Sequence, residues 1–420
     1  MHLPHHHNRT IPGLLLLSGC LLPVIAHADF VEDSQLSLDT RNFYMNRDFR
    51  NNASGNHKAE EWGQGFMLRF NSGFTEGPVG FGVDGLGLLG IKLDSGRGTS
   101  RTGALLVQQD GEAADEWSFL GLTAKARLAQ SVLSVGTHEP LLPVAYRNDT
   151  RLLPQTFEGA QLVSKDIDKL TLTAGQFRGT RLRDSSDYED MKMVAFAEGG
   201  ALVGGGKPSD RFNYAGASYA LQPNLTASYF YAELQDNYNQ HYGNLLHSLA
   251  LSEGLTLKSD IRYFDSGNEG NTTVDNRNLG AMFTFAYQGH ALGFAYQDQS
   301  GDTGLPFIGG GTDPWALNTV TYNHFLRAKE DSWQVRYDYN FAAVGIPGLT
   351  LMSRYVRGDD FTIGGADAKE WERDIDLGYV IQSGPLKNVG LRLRNVAYRG
   401  SHTTDVDENR FIVNYTVKFW

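Results

Sequence analysis

Segment after segment of this 420-residue chain alternates apolar and polar side chains, and that period-two pattern constrains the fold more than any other feature. "GFMLRFN" puts Phe66, Leu68 and Phe70 on one face and Met67, Arg69 and Asn71 on the other. "VGFGVDGLGLLGIKL" places Val79, Phe81, Val83, Leu89, Ile91 and Leu93 in one phase, with mostly glycine opposite. "LGLTAKARL" sets Leu120, Leu122, Ala124, Ala126 and Leu128 against Lys125 and Arg127. "SWQVRYDYNF" and "DIDLGYVIQ" repeat the arrangement, with Trp333, Val335, Tyr337, Ile375, Leu377 and Tyr379 on their apolar faces. Each reads as a strand with one apolar and one polar face. Beyond the N-terminal segment, no apolar run approaches the roughly 18–20 residues of a spanning helix. A soluble all-β fold and a transmembrane β-barrel both remain, since barrel strands leave only a weak hydropathy signal.

The connections separate these two. Short turns fall at 128–131, 164–169, 222–224, 252–254, 288–290, 343–348 and 383–388. Long polar stretches lie between them, at 50–62, 95–117, 137–158, 178–211, 266–278, 299–331, 358–373 and 400–409. Short turns at one end and long loops at the other are the pattern of an outer-membrane barrel. A sandwich needs a second sheet to cover each apolar face. A β-helix needs a short fixed repeat, and none is present. Abundant Gly (48), Phe (23) and Tyr (19) against 13 Pro suit an all-β chain rich in turns. The expectation is a transmembrane antiparallel β-barrel of about 18 strands, with short periplasmic turns and long extracellular loops.

Residues 1–28 read as a secretory signal, with Arg9, an apolar run from Ile11 to Ile25, and Ala26 and Ala28 at a cleavage site. His5, His6 and His7 belong to that segment, and "LSGC" (17–20) resembles a lipoprotein box ahead of the better "AHA" site. Residues 29–420 then form a single barrel domain. Removing the signal takes away the one cysteine, Cys20, and with it disulfide and Cys-ligand chemistry. The net charge becomes 36 − 48 = −12, against general nucleic-acid binding. His138 precedes a loop proline and His290 lies in a short turn, neither within a nucleophile motif such as G-x-S-x-G. No enzyme activity, cofactor or metal is expected.

"LKNVGLRLRNVAYRG" (386–400) carries the most informative charges. Arg392 and Arg394 alternate with Leu391 and Leu393. An arginine facing lipid near the midplane costs about 2–4 kcal/mol, so the arginines face the lumen and the leucines face lipid. They serve either as ligands for a solute or as solvated residues paired with acids such as Asp374 or Asp376. Arg69 and Arg336 are further lumen arginines. The alternation is clean from Val389 to Arg394; Asn395 falls on the lipid face, so the strand bulges or leaves the membrane there. The acidic excess falls in expected loops, at 110–116, 359–360 and 405–408. These read as a solvated surface that divalent cations bridge to lipopolysaccharide. Asp302 and Asp313, in the 299–331 loop, are candidates for an acidic wall admitting an amino group. Phe307 and Trp315 in the same loop are candidates for stacking on a ring. At the C-terminus, Phe411, Val413, Tyr415, Val417 and Phe419 share one face, with Trp420 as one residue more.

"FVEDSQLSLDTRNFYMNRDFR", "NDTRLLPQTFEG" (148–159), "EDSWQVRYDYNFAAVGIPGLTLMSRYVRGDDF" (330–361) and "ERDIDLGYVIQSGPLKNVGLRLRN" (372–395) together resemble the OprD-type porins, substrate-specific outer-membrane carboxylate channels of pseudomonads. The resemblance covers essentially all of 29–420. It implies an 18-stranded barrel in the outer membrane of a Gram-negative bacterium, monomeric or weakly trimeric, narrowed by an inward-folded third loop. It also implies passive uptake of small carboxylate-bearing solutes along a ladder of basic side chains. By motif, Arg392, Arg394 and Arg410 fall on that ladder and Arg354 is a further rung. Arg151 and Thr150 match the eyelet of the third loop. Set against the resembled family, the compact length and the short second loop lean toward aromatic or cyclic acids. Basic amino acids or dipeptides, or a general non-selective pore, are the alternatives. Implied partners are the organic-acid solute, outer-membrane lipid and lipopolysaccharide, and the barrel assembly machinery.

Overall fold

The computed structural model describes residues 30–52, 55, 57–310 and 313–420, so the expected signal segment lies outside it. Eighteen strands span the wall: β1 Gln35–Arg50, β2 Lys58–Asn71, β3 Val79–Asp94, β4 Glu116–Leu128, β5 Ser131–His138, β6 Thr156–Ser164, β7 Leu170–Arg181, β8 Phe212–Gln222 and β9 Leu225–Leu234 form the first half. The second half is β10 Tyr238–Ser252, β11 Leu255–Asn268, β12 Asp275–Tyr287, β13 His290–Ser300, β14 Asp331–Asn340, β15 Leu349–Ile363, β16 Ala366–Val380, β17 Gly390–Gly400 and β18 Asp405–Lys418. Each strand pairs antiparallel with the next, and β1 pairs antiparallel with β18, which closes the barrel and leaves no free edge. A two-residue piece, Tyr188–Glu189, hangs on the end of β7 and does not span.

The period-two reading explains which face looks out. Leu120, Leu122, Phe81 and Leu393 are 72%, 60%, 58% and 53% exposed, which a water-soluble protein would not tolerate in such numbers and a lipid-facing girdle requires. β17 keeps its register through Asn395 without a bulge, as far as Gly400 with β16 and Tyr398 with β18. Asn395 therefore marks the level at which the strand leaves the bilayer. Leu391→Arg, four residues deeper on β17, is expected to cost the folded barrel about 2–4 kcal/mol and Asn395→Arg only about 0–1. The folded fraction of each variant on a heat-modifiability gel checks this, and equal losses would misplace the boundary.

Four loops are shorter than the sequence pattern suggests. β1 runs on to Arg50 and β2 begins at Lys58, so 50–62 shrinks to 51–57. Likewise 266–278 shrinks to 269–274, and 400–409 to 401–404. The expected loop 358–373 becomes a two-residue turn, Gly364–Gly365, both at positive φ where glycine is free of strain. The cause is common to all four. Hairpins continue beyond the bilayer with their backbones paired, and once both faces are wet the alternation disappears. Asp359, Asp360, Asp405, Asp407 and Glu408 thus sit in strands rather than loops.

The long connections are the second loop (95–115), third (139–155), fourth (182–211) and seventh (301–330). They fold against the inner wall through two apolar clusters. Leu105, Leu152 and Leu153 pack on Phe43, Met45, Met67, Leu86 and Leu88 of β1–β3. Val144, Met191, Leu305, Ile308 and Leu326 pack on Phe157, Phe177, Phe212, Tyr242 and Phe264 of β6–β11. Apolar inner residues on β1–β13 thus seat the loops, while the inner face of β14–β18 is predominantly charged.

A basic wall facing two anchored loops

Alternation places Arg336, Arg354, Arg392, Arg394 and Arg410 on the inner phase of β14, β15, β17 and β18. Arg336 and Arg354 are directly opposite one another across strands, as are Arg394 and Arg410. Each guanidinium is held by an inner-face carboxylate. Arg354 pairs with Asp374 at 2.5 Å, and Arg336 with Asp338 at 2.7 Å. Arg392 and Arg394 share Asp376, at 2.7 and 2.6 Å. Arg410 pairs with Glu408, which also takes Arg47 at 2.6 Å. These charge-assisted bonds orient the planar forks. The wall is thus not a purely basic strip separated from the acidic residues: acid and base interleave, with two cations on the single carboxylate of Asp376. Arg392 is the most open rung, its side chain 32% exposed.

The seventh loop meets this wall. The backbone N–H groups of Tyr322 and Asn323 donate to the two carboxylate oxygens of Glu372 at 2.9 and 2.8 Å. Glu370 accepts from the Asn323 side chain, from Arg327 and from the Tyr398 hydroxyl. Thr321 is thereby delivered to the arginines: Arg354 donates to its hydroxyl at 3.3 Å and Arg410 to its carbonyl at 3.2 Å.

The third loop arrives from the other side. Arg41 on β1 donates to Asp149 at 2.7 Å and to the Arg151 carbonyl at 2.6 Å. Burial opposes the Asp149 charge, yet Arg41 holds that carboxyl below its ordinary range. Glu139, at the start of the loop, takes Arg69 and Arg147. Arg410 donates to the Thr150 carbonyl at 3.3 Å, so one guanidinium touches both loops. The Thr150 hydroxyl donates to Asn148 at 2.6 Å. Arg151 turns back on its own loop, donating to the Thr150 hydroxyl at 3.0 Å and to the Thr102 carbonyl of the second loop at 3.1 Å. Burial, and then the like charges of Arg410, Arg183 and Arg47, push Arg151 down.

The structure therefore brings Arg354, Arg394, Arg410 and Thr150 together, with Arg392 one step along the strand and Arg151 just behind Thr150. The remaining candidates lie elsewhere. Trp315 stacks on Tyr146 at 4.5 Å under the guanidinium of Arg262 on β11, so its ring is committed to loop packing away from the basic row. Asp313 stitches the seventh loop to the third through its backbone N–H on the Tyr146 carbonyl. Phe307 packs edge-on against His324. Asp302 is exposed just beyond the outer end of β13, its carbonyl accepting from the Glu198 backbone N–H. Arg41, Arg47, Glu61, Thr321 and Glu372 were missed as functional positions. The lumen phase of Arg41, Arg47, Glu61 and Glu372 is legible from alternation, but which loop each one grips is not, and Thr321 lies in a loop where no alternation exists.

A closed barrel with an apolar outer girdle, inward-folded loops and a charged inner wall has the architecture of a channel of the Gram-negative outer membrane. The chain belongs to the OprD family of outer membrane porins, whose model matches residues 28–419. It is 39% identical over 415 residues to the porin-like protein GalP of Pseudomonas putida, covering 96% of this chain and 97% of GalP. Among solved structures it is similar to OpdQ of Pseudomonas aeruginosa, at 48% identity and TM-score 0.84, over 93% of this chain and 99% of that one. It is also similar to Pseudomonas aeruginosa OpdK, solved with vanillate, at 38% identity and TM-score 0.86, over 93% of this chain and all (100%) of that one.

Proposed function

We propose that this porin admits small carboxylate-bearing solutes passively and selectively, with aromatic or cyclic acids preferred. The route is the row Arg392, Arg394, Arg410 and Arg354, leading to the gap between the third and seventh loops. The observation that carries this reading is the meeting of Arg410 with both Thr150 and Thr321, which sets a buried guanidinium where the two loops approach, next to Arg394 across the strands. A carboxylate entering such a passage loses hydration, and guanidinium forks replace it with charge-assisted bonds. Several comparable rungs keep binding weak and multi-site, as conduction requires. The vanillate carried by OpdK, an aromatic acid, supports the lean toward that class. The test is uptake of labelled benzoate and of labelled arginine by liposomes holding the purified barrel. Faster benzoate entry is expected. Faster arginine would favour a basic amino acid channel, and large unselective conductance in planar bilayers a general pore.

A further inference from the structure

Among the outward-facing arginines of the described residues, Arg373 stands apart. Arg373 on β16 points outward, two residues beyond lipid-facing Ile375 and beside Tyr355 of β15 in register. Tyr355 stacks on Trp371 at 5.7 Å and packs on Trp333 at 5.5 Å, which places Arg373 in the outer aromatic girdle. Its guanidinium donates to Oδ1 of Asn395 at 2.6 Å, and Nδ2 of Asn395 donates to Oδ1 of Asn409 at 2.7 Å. A guanidinium has no acceptor, so its bond fixes the orientation of both amides in turn. The acceptor oxygens of Asn395 and Asn409 are thereby used inside the relay, and what faces outward is Nδ2 of Asn409 and the other N–H groups of Arg373.

Neighbouring outward arginines differ. Arg357 pairs with Asp359, and Arg399 and Arg50 both pair with Asp407. Arg373 pairs with no carboxylate among the described residues, although it lies nearer the acyl region than those three. A cluster of donors at that depth matches an anion rich in acceptor oxygens and carried by lipid.

We propose that Arg373, Asn395 and Asn409 form a binding site for a phosphate group of an outer-leaflet lipid, with lipid A phosphate as the occupant. The long arginine stem lies along the girdle while its head reaches the phosphate level. Asn409 closes the site from the β18 side.

The test is native mass spectrometry of the full barrel in detergent, titrated with bisphosphorylated lipid A and with its dephosphorylated form. Wild type is expected to retain the phosphorylated lipid in preference, and Arg373→Ala to bind it about tenfold more weakly. Asn409→Ala is expected to fall between them. Heat-modifiability confirms folding, and if Arg373→Ala does not fold, Arg373→Gln and the comparison of the two lipids on wild type decide the matter. Equal retention of both lipids by wild type overturns the site. So does unchanged lipid A binding by a folded Arg373 variant, or displacement of the lipid by millimolar inorganic phosphate.

Discussion

Replacing Arg392 and Arg394 together by alanine is expected to lower benzoate uptake into liposomes by about tenfold or more while the barrel still folds. Bonds to a charged group are worth about 1.5–3 kcal/mol each, and about 1.4 kcal/mol is a factor of ten. The shared carboxylate makes the effect larger than the loss of two ligands. Asp376 is almost wholly buried against the two guanidinium groups, and removing both leaves an uncompensated anion on the path of an anionic solute. The triple variant that adds Asp376→Asn separates the two contributions. It is expected to recover part of the lost uptake, because repulsion is gone while the missing forks are not restored. Passage of a neutral sugar should change little in either variant. Benzoate uptake by the double variant at the wild-type rate would remove these arginines from the route.

The second large effect is expected from Glu61→Ala. Glu61 is fully buried on β2, and its carboxylate accepts the backbone N–H groups of Arg101, Thr102, Ala104 and Leu105 at 2.7, 3.2, 3.1 and 3.4 Å, along with the Thr102 hydroxyl. Truncation leaves those donors without an acceptor, at about 1–3 kcal/mol for each one that stays dry. The loop escapes that penalty by lifting into water. Leu105 then leaves its place beside Leu152, and Arg151 loses the Thr102 carbonyl. One substitution thus loosens the second and third loops together. The expected readouts are trypsin cleavage at Arg97 or Arg101 and a rise in single-channel conductance. Glu60→Ala is the control, since Glu60 faces outward toward Tyr44 and is expected to change neither. A Glu61→Ala channel that keeps both protease resistance and conductance would show that this carboxylate is not the anchor.

The barrel is legible in the sequence because lipid on one side and water on the other impose a period of two on every spanning segment, from "GFMLRFN" to "RFIVNYTVKFW". The same physics limits what can be read. Past Asn395 and Arg373 both faces are wet, so the paired ends of β15–β18 resemble loops, and Asp405–Glu408 was placed outside the sheet. Arg392 and Arg394 were assigned correctly to the inner face, and the pairing with Asp376 was one of the two readings considered for them. Cross-strand register, rather than distance in the chain, puts that acid beside both bases. The loop anchors were missed for a related reason. Glu61, Arg41 and Glu372 act on backbone groups of segments 40 to 110 residues away, and alternation carries no information about such partners. Trp315 and Asp302 carried suitable chemistry but lie where packing and exposure give them other surroundings.

The seam where β1 meets β18 has a consequence for the order in which the molecule is built. The third loop is gripped by Arg41 on the first strand, and Arg410, on the last strand, touches both the third loop and the seventh. The contact of Arg410 with the third loop joins the last strand to the N-terminal half, so it forms only after the two ends of the chain have been zipped together. During biogenesis the wall therefore comes first and the narrow passage last. An unclosed intermediate has strands and loops but no finished filter, so selectivity arrives as the final event of assembly.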